Sequence, residues 1–290
     1  MKHSVLALAL VGAVAARPAT MPMAKREVPQ EHSHRNILNI VTTMLLLDNP
    51  DEIQDPVFGL LGAAAAIEGA GKIADADCLQ QATADQAFTN AKAAGDVDGM
   101  TASLIFRALE RNTGKIGLAS VPCESIKAVN PEIAALQQHQ DPAGEGAQEL
   151  NKQITAELAR QIASVGGDPL LANEASTFAP GDLNDATAAG NTCDDENDDA
   201  GCINSLNLRV DDLSDAEIQA AVAGAAAGGN VAGGNAANAT APANGKGKGN
   251  QNAGKGKAAK GKDAAGAGAG AVDAQATLEQ IAALLTAAGL

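Results

Sequence analysis

The sequence predicts an all-α fold: a disulfide-stapled, Ala-rich helical domain followed by a disordered Gly/Ala/Lys tail. Three observations lead there. Apolar residues recur at helical spacing in several segments, and no segment sustains the period-two alternation of a half-buried strand. The hydrophobic 46% is carried largely by alanine, with four Phe and no Trp or Tyr. Each alanine buries little area, and burial contributes only about 25 cal/mol per Å², so close helix packing and covalent staples are expected to compensate. All four cysteines (Cys78, Cys123, Cys193 and Cys202) fall in the stretch 74–224, which also holds most of the helical pattern.

Taken in order, residues 36–47 are apolar at helical spacing, with Asp48-Asn49-Pro50 as the stop. A second run at 57–67, thinned by Gly59, Gly62 and four alanines, is expected to be one slender helix that pairs with the first as a hairpin over 36–68. Residues 75–93 form a helix of mixed pattern. Asp98 is placed to cap the next one, in which Met100, Leu104 and Leu109 flank Ile105-Phe106. Pro131 opens a short helix over 131–138. The clearest amphipathic helix is 147–165, with Leu150, Ile154, Leu158 and Ile162 at four-residue steps and Gly166-Gly167-Asp168-Pro169 as its stop. Residues 177–192 read as loop. Ser214-Asp-Ala-Glu217 is a capping box that opens a last short helix of the domain, 216–223.

The ends carry other signals. Residues 1–16 have the layout of a secretory signal peptide: Lys2, a short apolar core, and small residues up to a cleavage point after Ala16. Residues 17–26 read as a propeptide closed by the dibasic pair Lys25-Arg26, a kexin-type processing site that starts the mature chain at Glu27. The helical domain is then 27–223. Residues 224–271 are a low-complexity linker whose composition cannot offset its ordering entropy. A short C-terminal helix over 272–290 carries Leu278, Ile281 and Leu285. No apolar run reaches the ~18 residues of an integral membrane span.

Charge is distributed unevenly. Residues 27–223 hold 10 Lys and Arg against 32 Asp and Glu, a net of −22, while 224–290 hold six Lys against three acids, a net of +3. An acidic body argues against nucleic acid as a partner. The Lys-rich tail (Lys246 to Lys262) suits cell-wall polysaccharide or another anionic surface, and any host partner is unspecified by the residues.

Four cysteines in an exported chain imply disulfides, and three pairings exist. Cys78–Cys123 with Cys193–Cys202 is the expected one, the second being a natural local clip. Neither CxxC spacing nor paired histidines support zinc. Inside the clip, Asp194, Asp195, Glu196, Asp198 and Asp199 suggest calcium, and Asp195, Asn197 and Asp199 match the first three ligand positions of an EF-hand. Ala200 then stands where glycine is needed and Leu206 where the bidentate Glu belongs, so a solvated acidic turn is favoured. His32 and His34, two apart, do not share a helical face, and His139 stands alone; no metal ligand is assigned. Hydrolase, zincin and phosphate-loop motifs are lacking, and no Trp or Tyr offers a sugar platform, so no catalytic or cofactor residue is assigned. Asn238-Ala-Thr240 is a glycosylation sequon in the tail.

Residues 121–142 (VPCESIKAVNPEIAALQQHQDP) and 189–203 (AGNTCDDENDDAGCI) resemble a family of secreted fungal proteins described as cell wall proteins. The resemblance spans about 75–223 and leaves out the tail. It implies a filamentous-fungal source and an extracellular or wall location, and it carries over no catalytic residue. The function expected is that of a secreted, non-enzymatic cell-surface protein, wall-associated or released at a host interface. The alternatives are a calcium- or metal-binding module using 194–199 and, behind it, a wall-polysaccharide hydrolase.

Overall fold

A computed structural model describes residues 32–185 and 190–227. The signal peptide, the processing residues Ala16, Lys25 and Arg26, the sequon at Asn238, the Lys-rich linker and the helix expected at 272–290 lie outside the described residues.

Helices supply the architecture, as the periodicity predicts: α1 (Arg35–Leu45), α2 (Ala63–Ala66), α3 (Leu79–Ala94), α4 (Val97–Ala108), α5 (Pro131–Ala134), α6 (Ala147–Ser164), α7 (Cys202–Ser205) and α8 (Asp215–Ala227). Four 3-10 segments join them, Pro56–Leu60, Ile67–Gly69, Ala76–Cys78 and Pro169–Ala175. No strand forms among the described residues; a single antiparallel bridge pairs Phe178 with Arg209.

The axis of the core is α4. Every residue from Gly99 to Ala108 is buried, so beyond its first two residues this helix has no solvent face. It packs against α3, α1 and α6, and its Leu104, Ile105 and Phe106 meet Phe88, Leu158, Ile162 and Ile218 in one apolar cluster. Its N-cap is Asp96, whose carboxylate accepts from the Gly99 amide at 2.9 Å; the expected cap, Asp98, instead lies inside the first turn. Either position adds favourable negative charge to that end, but only Asp96 has the extended backbone a cap requires.

The mixed pattern of α3 has a physical cause. Its buried amides serve the ends of other helices. Gln80 donates to the carbonyls of Phe106 and Leu109 at 2.9 and 2.8 Å, closing the C-terminus of α4. Asn90 donates to the carbonyls of Met44 and Asp48, both at 2.8 Å, closing the C-terminus of α1.

The slender helix expected over 57–67 does not form as one piece. Leu61 and Gly62 are extended, with ψ of 158° and 151°, and separate the 3-10 turn Pro56–Leu60 from α2. Leu60 belongs to the main core, whereas Leu61 joins a second cluster with Leu45, Ile53, Ala66, Ile73 and Leu79. Sending neighbouring leucines into separate clusters is natural for an extended step, where successive side chains face oppositely, and not for a helix. The expected close approach does occur: a Cβ on Gly59 would lie 3.1 Å from both Gln80 Cα and Phe106 Cζ. The short helix at 131–138 is likewise reduced to one turn, after which the chain leaves to place Gln138 and His139 in the interior.

Helix α6 follows its predicted stripe, with Ile154, Leu158 and Ile162 buried. The capping box before α8 is formed: Ser214 N–H donates to Glu217 Oε2 at 2.8 Å, and the Glu217 N–H to Ser214 Oγ at 3.4 Å. Helix α8 continues to Ala227 rather than stopping at 223, since Ala225, Ala226 and Ala227 are strong helix formers. Both expected disulfides are present, Cys78–Cys123 and Cys193–Cys202. Beside the first, buried Arg111 donates to the Asp77 and Val121 carbonyls, each at 3.0 Å, and so ties both arms of the staple together.

Candidate functional site

The acidic loop 193–202 does not hang free. It lies against the first turn of α1, a helix with no acidic residue of its own there and no side-chain cap. Ser33 Oγ donates to the Cys193 carbonyl at 3.2 Å, Asp194 pairs with His32, and Asn39 donates to Asp199 at 3.4 Å. Distant carboxylates thus supply the negative charge that a helix N-terminus favours. Gly201 makes the contact feasible: its φ is +80°, and a Cβ there would fall 2.5 Å from the Ser33 carbonyl oxygen.

Asp195 and Asp198 bond within or next to their own loop. Asp195 accepts from the Asn197 amide at 2.9 Å and Asp198 from the Ala200 amide at 3.1 Å, both Asx turns, and Asp198 also takes the Ser205 hydroxyl. Asp195 and Asp199 are not drawn to a common point. Among the described residues no three His, Cys, Asp or Glu groups stand together as a metal site.

A cleft of about 430 Å³ opens beside this loop. At its centre Arg209 pairs with Glu174, and Arg209 Nε donates to Asp211 at 2.7 Å. Asn36 and Asn204 donate to Glu174 Oε2 at 3.1 and 3.0 Å, and Arg209 Nη1 donates to Asn204 Oδ1 at 2.9 Å. Burial would raise the Glu174 carboxyl; the Arg209 charge and hydrogen bonds from Arg209, Asn36 and Asn204 outweigh it and hold the group below its ordinary value. Sequence reasoning missed this site. One signal was available: Arg209 is the only Lys or Arg between Arg160 and Lys246, in an acidic stretch where a lone cation invites pairing.

The three histidines among the described residues part company. His32 is the partner of Asp194 on the surface. His34 is fully buried, neither ring nitrogen makes a hydrogen bond, and burial pushes it down to about 4 against the opposing pull of Glu174. His139, far from standing alone, is completely buried between the Ala108 carbonyl at 2.6 Å, Thr155 at 3.0 Å and Asp212 at 3.2 Å. Ser176 Oγ donates to the same Asp212 oxygen at 2.7 Å. Burial raises the Asp212 carboxyl, but His139, Ser176 and Thr155 more than reverse this and leave it lowered. In this cluster Ser176 donates to the carboxylate and not to the imidazole. The hydroxyl on the imidazole is that of Thr155, which also donates to Asp212 Oδ2 at 3.2 Å, and the side chains of His139, Thr155 and Ser176 are all fully buried. Next to it Glu110 accepts from Thr177 at 2.6 Å; burial, reinforced by Asp141 and Asp212, pushes Glu110 up to about 8.

No helix among the described residues is long and apolar enough to cross a membrane. Compared with protein-family models, curated proteins and solved structures, the chain matches none. The class that the fold itself defines is therefore a small helical, two-disulfide domain with a polar surface cleft.

Proposed function

We propose that this chain is a secreted, non-enzymatic protein of a fungal cell surface, held at the wall or released from it to a host. One observation carries the reading: all four cysteines are consumed in two disulfides, a state that persists in oxidising compartments outside the cytosol. The leader-like residues 1–16, the dibasic pair Lys25-Arg26 and the resemblance over 75–223 support it from the sequence side. The burial of His139 and Ser176, which removes them from any substrate, supports the non-enzymatic part.

Antibody fractionation of the producing organism tests this directly. The protein is expected in the salt-extractable wall fraction or the culture fluid, with Glu27 as its first residue by mass analysis. Full-length protein found only inside the cell, starting at Met1, overturns it.

A further inference from the structure

The cleft around Arg209 holds more polar capacity than the chain itself consumes. Asn36 uses its amide nitrogen on Glu174, while its Oδ1 is buried with no partner. Asn207 is exposed at the rim, in the left-handed region at φ +53°, a conformation an Asn tolerates better than most residues. The bonds of Arg209 use Nε and Nη1 and leave Nη2 over, and Asp211 gives only one oxygen to it. Polar groups of Asn207, Arg209 and Asp211 therefore stand around the opening, beside the exposed methyl of Ala200.

Ligand classes separate on this chemistry. With Glu174 and Asp211 against Arg209 the cleft is net negative, and Asp198 and Asp199 stand in the loop beside it, so an anion is repelled. Of the eight lining residues only Ala200 and Ile203 are apolar, too few for a lipid or an aromatic drug-like ligand. A cation finds Arg209 already on the carboxylates. What fits is a neutral ligand whose hydroxyls each donate and accept, and whose C–H face needs only a small apolar patch. The geometry points to a short neutral saccharide as the occupant of the Asn36–Asn207–Arg209–Asp211 cleft. Its size falls in the lower part of the roughly 300–1,000 Å³ range of small-molecule sites. The lattice of Asn36, Glu174, Asn204 and Arg209 fixes the side chains before binding, which lowers the ordering cost. Without an aromatic platform the affinity is millimolar.

This rests on the cell-surface reading for its biological sense, since walls are built of sugars, but the test is independent of it. Assigned amide NMR spectra of the full secreted chain are recorded against laminaribiose, chitobiose and mannobiose, each to tens of millimolar. Saturable shifts at Asn36, Asn204 and Asn207 are expected with at least one sugar. Asn207→Gly keeps the left-handed backbone and removes the amide, and Asp211→Ala leaves Arg209 on Glu174. Each should weaken binding about fivefold, the worth of one hydrogen bond. Shifts with none of the three sugars, shifts away from the cleft, or affinity unchanged in both variants overturn the inference. A protein that resides in the wall yet ignores the sugars loses this inference and keeps the proposed location. An intracellular protein whose cleft binds them does the reverse.

Discussion

Two halves of the domain are held together by different physics. Around α4 ten consecutive residues are buried, and two buried amides of α3, Gln80 and Asn90, close helix ends. Around Cys193–Cys202 the chain has almost no apolar payload; its own small cluster contains Phe178 and Ile203, with Cys193 packed against them. There the backbone is positioned by a disulfide, Asx turns, the Arg209–Glu174 pair and contacts to the first turn of α1. A chain short of large side chains can build one interior by close packing. Where it runs out of apolar surface it turns to covalent and charged links, and that second region inherits sensitivity to reductant, pH and salt.

The contrast breaks most visibly at Phe106. Phe106→Ala removes a fully buried ring at the centre of the core and should cost about 3–5 kcal/mol in a denaturant titration. The same change at a surface position of the acidic loop, Glu196→Ala, should leave the midpoint within about 0.5 kcal/mol.

Removing the disulfides separately by Cys→Ala pairs sharpens it. The staple Cys78–Cys123 spans 45 residues and the clip Cys193–Cys202 spans 9. Loop entropy then gives losses of about 4 and about 2.5 kcal/mol respectively. Equal losses, or a larger one for the clip, would mean that native packing and not chain entropy sets the contribution.

A pH series distinguishes the regions by sign. His34 titrates near 6.5 when unfolded and about 4 when folded, so stability it supports above pH 6.5 is lost as the pH falls towards 4. Glu110 runs the other way: about 4.5 unfolded and about 8 folded, so its contribution is whole below pH 4.5 and is lost as the pH rises through 8. His34→Leu should flatten the acid limb and Glu110→Gln the neutral-to-alkaline limb of a thermal-melt profile. At about 1.4 kcal/mol per pH unit, the full effects are on the order of 3 kcal/mol for His34 and 5 kcal/mol for Glu110. The acid limb keeps a residual slope from Glu174 and Asp212, both lowered in the fold.

Arg209→Met should cost on the order of 1–2 kcal/mol, less than a buried pair, because Arg209 and Glu174 keep 23% and 21% of their side chains exposed. Added salt should shrink the difference between wild type and variant. The smallest effect belongs to the tail. Its six lysines are expected to give the full chain weak retention on isolated walls that a chain ending at Ala227 lacks. The difference should fade as the Debye length falls below ~8 Å. Equal retention of both chains at low salt would leave the tail as a spacer.

Local signals carried far in this protein. Helical periodicity, the stop after Leu47, the stripe of α6, the capping box at Ser214 and the short Cys193–Cys202 spacing each concern residues close in the chain, and each is realised. The misreading at 57–67 arises where neighbouring leucines must reach different clusters, and that at 131–138 where the chain turns to bury Gln138 and His139, demands the local pattern does not display.

What the sequence determined by itself was the helical class, the presence of disulfides and the separation of acidic from basic residues along the chain, because propensity, cysteine count and charge are additive along it. Only the tertiary structure decided where the polar residues go. Asn36 meets Glu174 across 138 residues and His139 meets Asp212 across 73. Most buried polar groups take a partner wherever the fold brings one, His34 being an exception, and that partner is chosen by packing of the apolar faces, not by anything written near the residue.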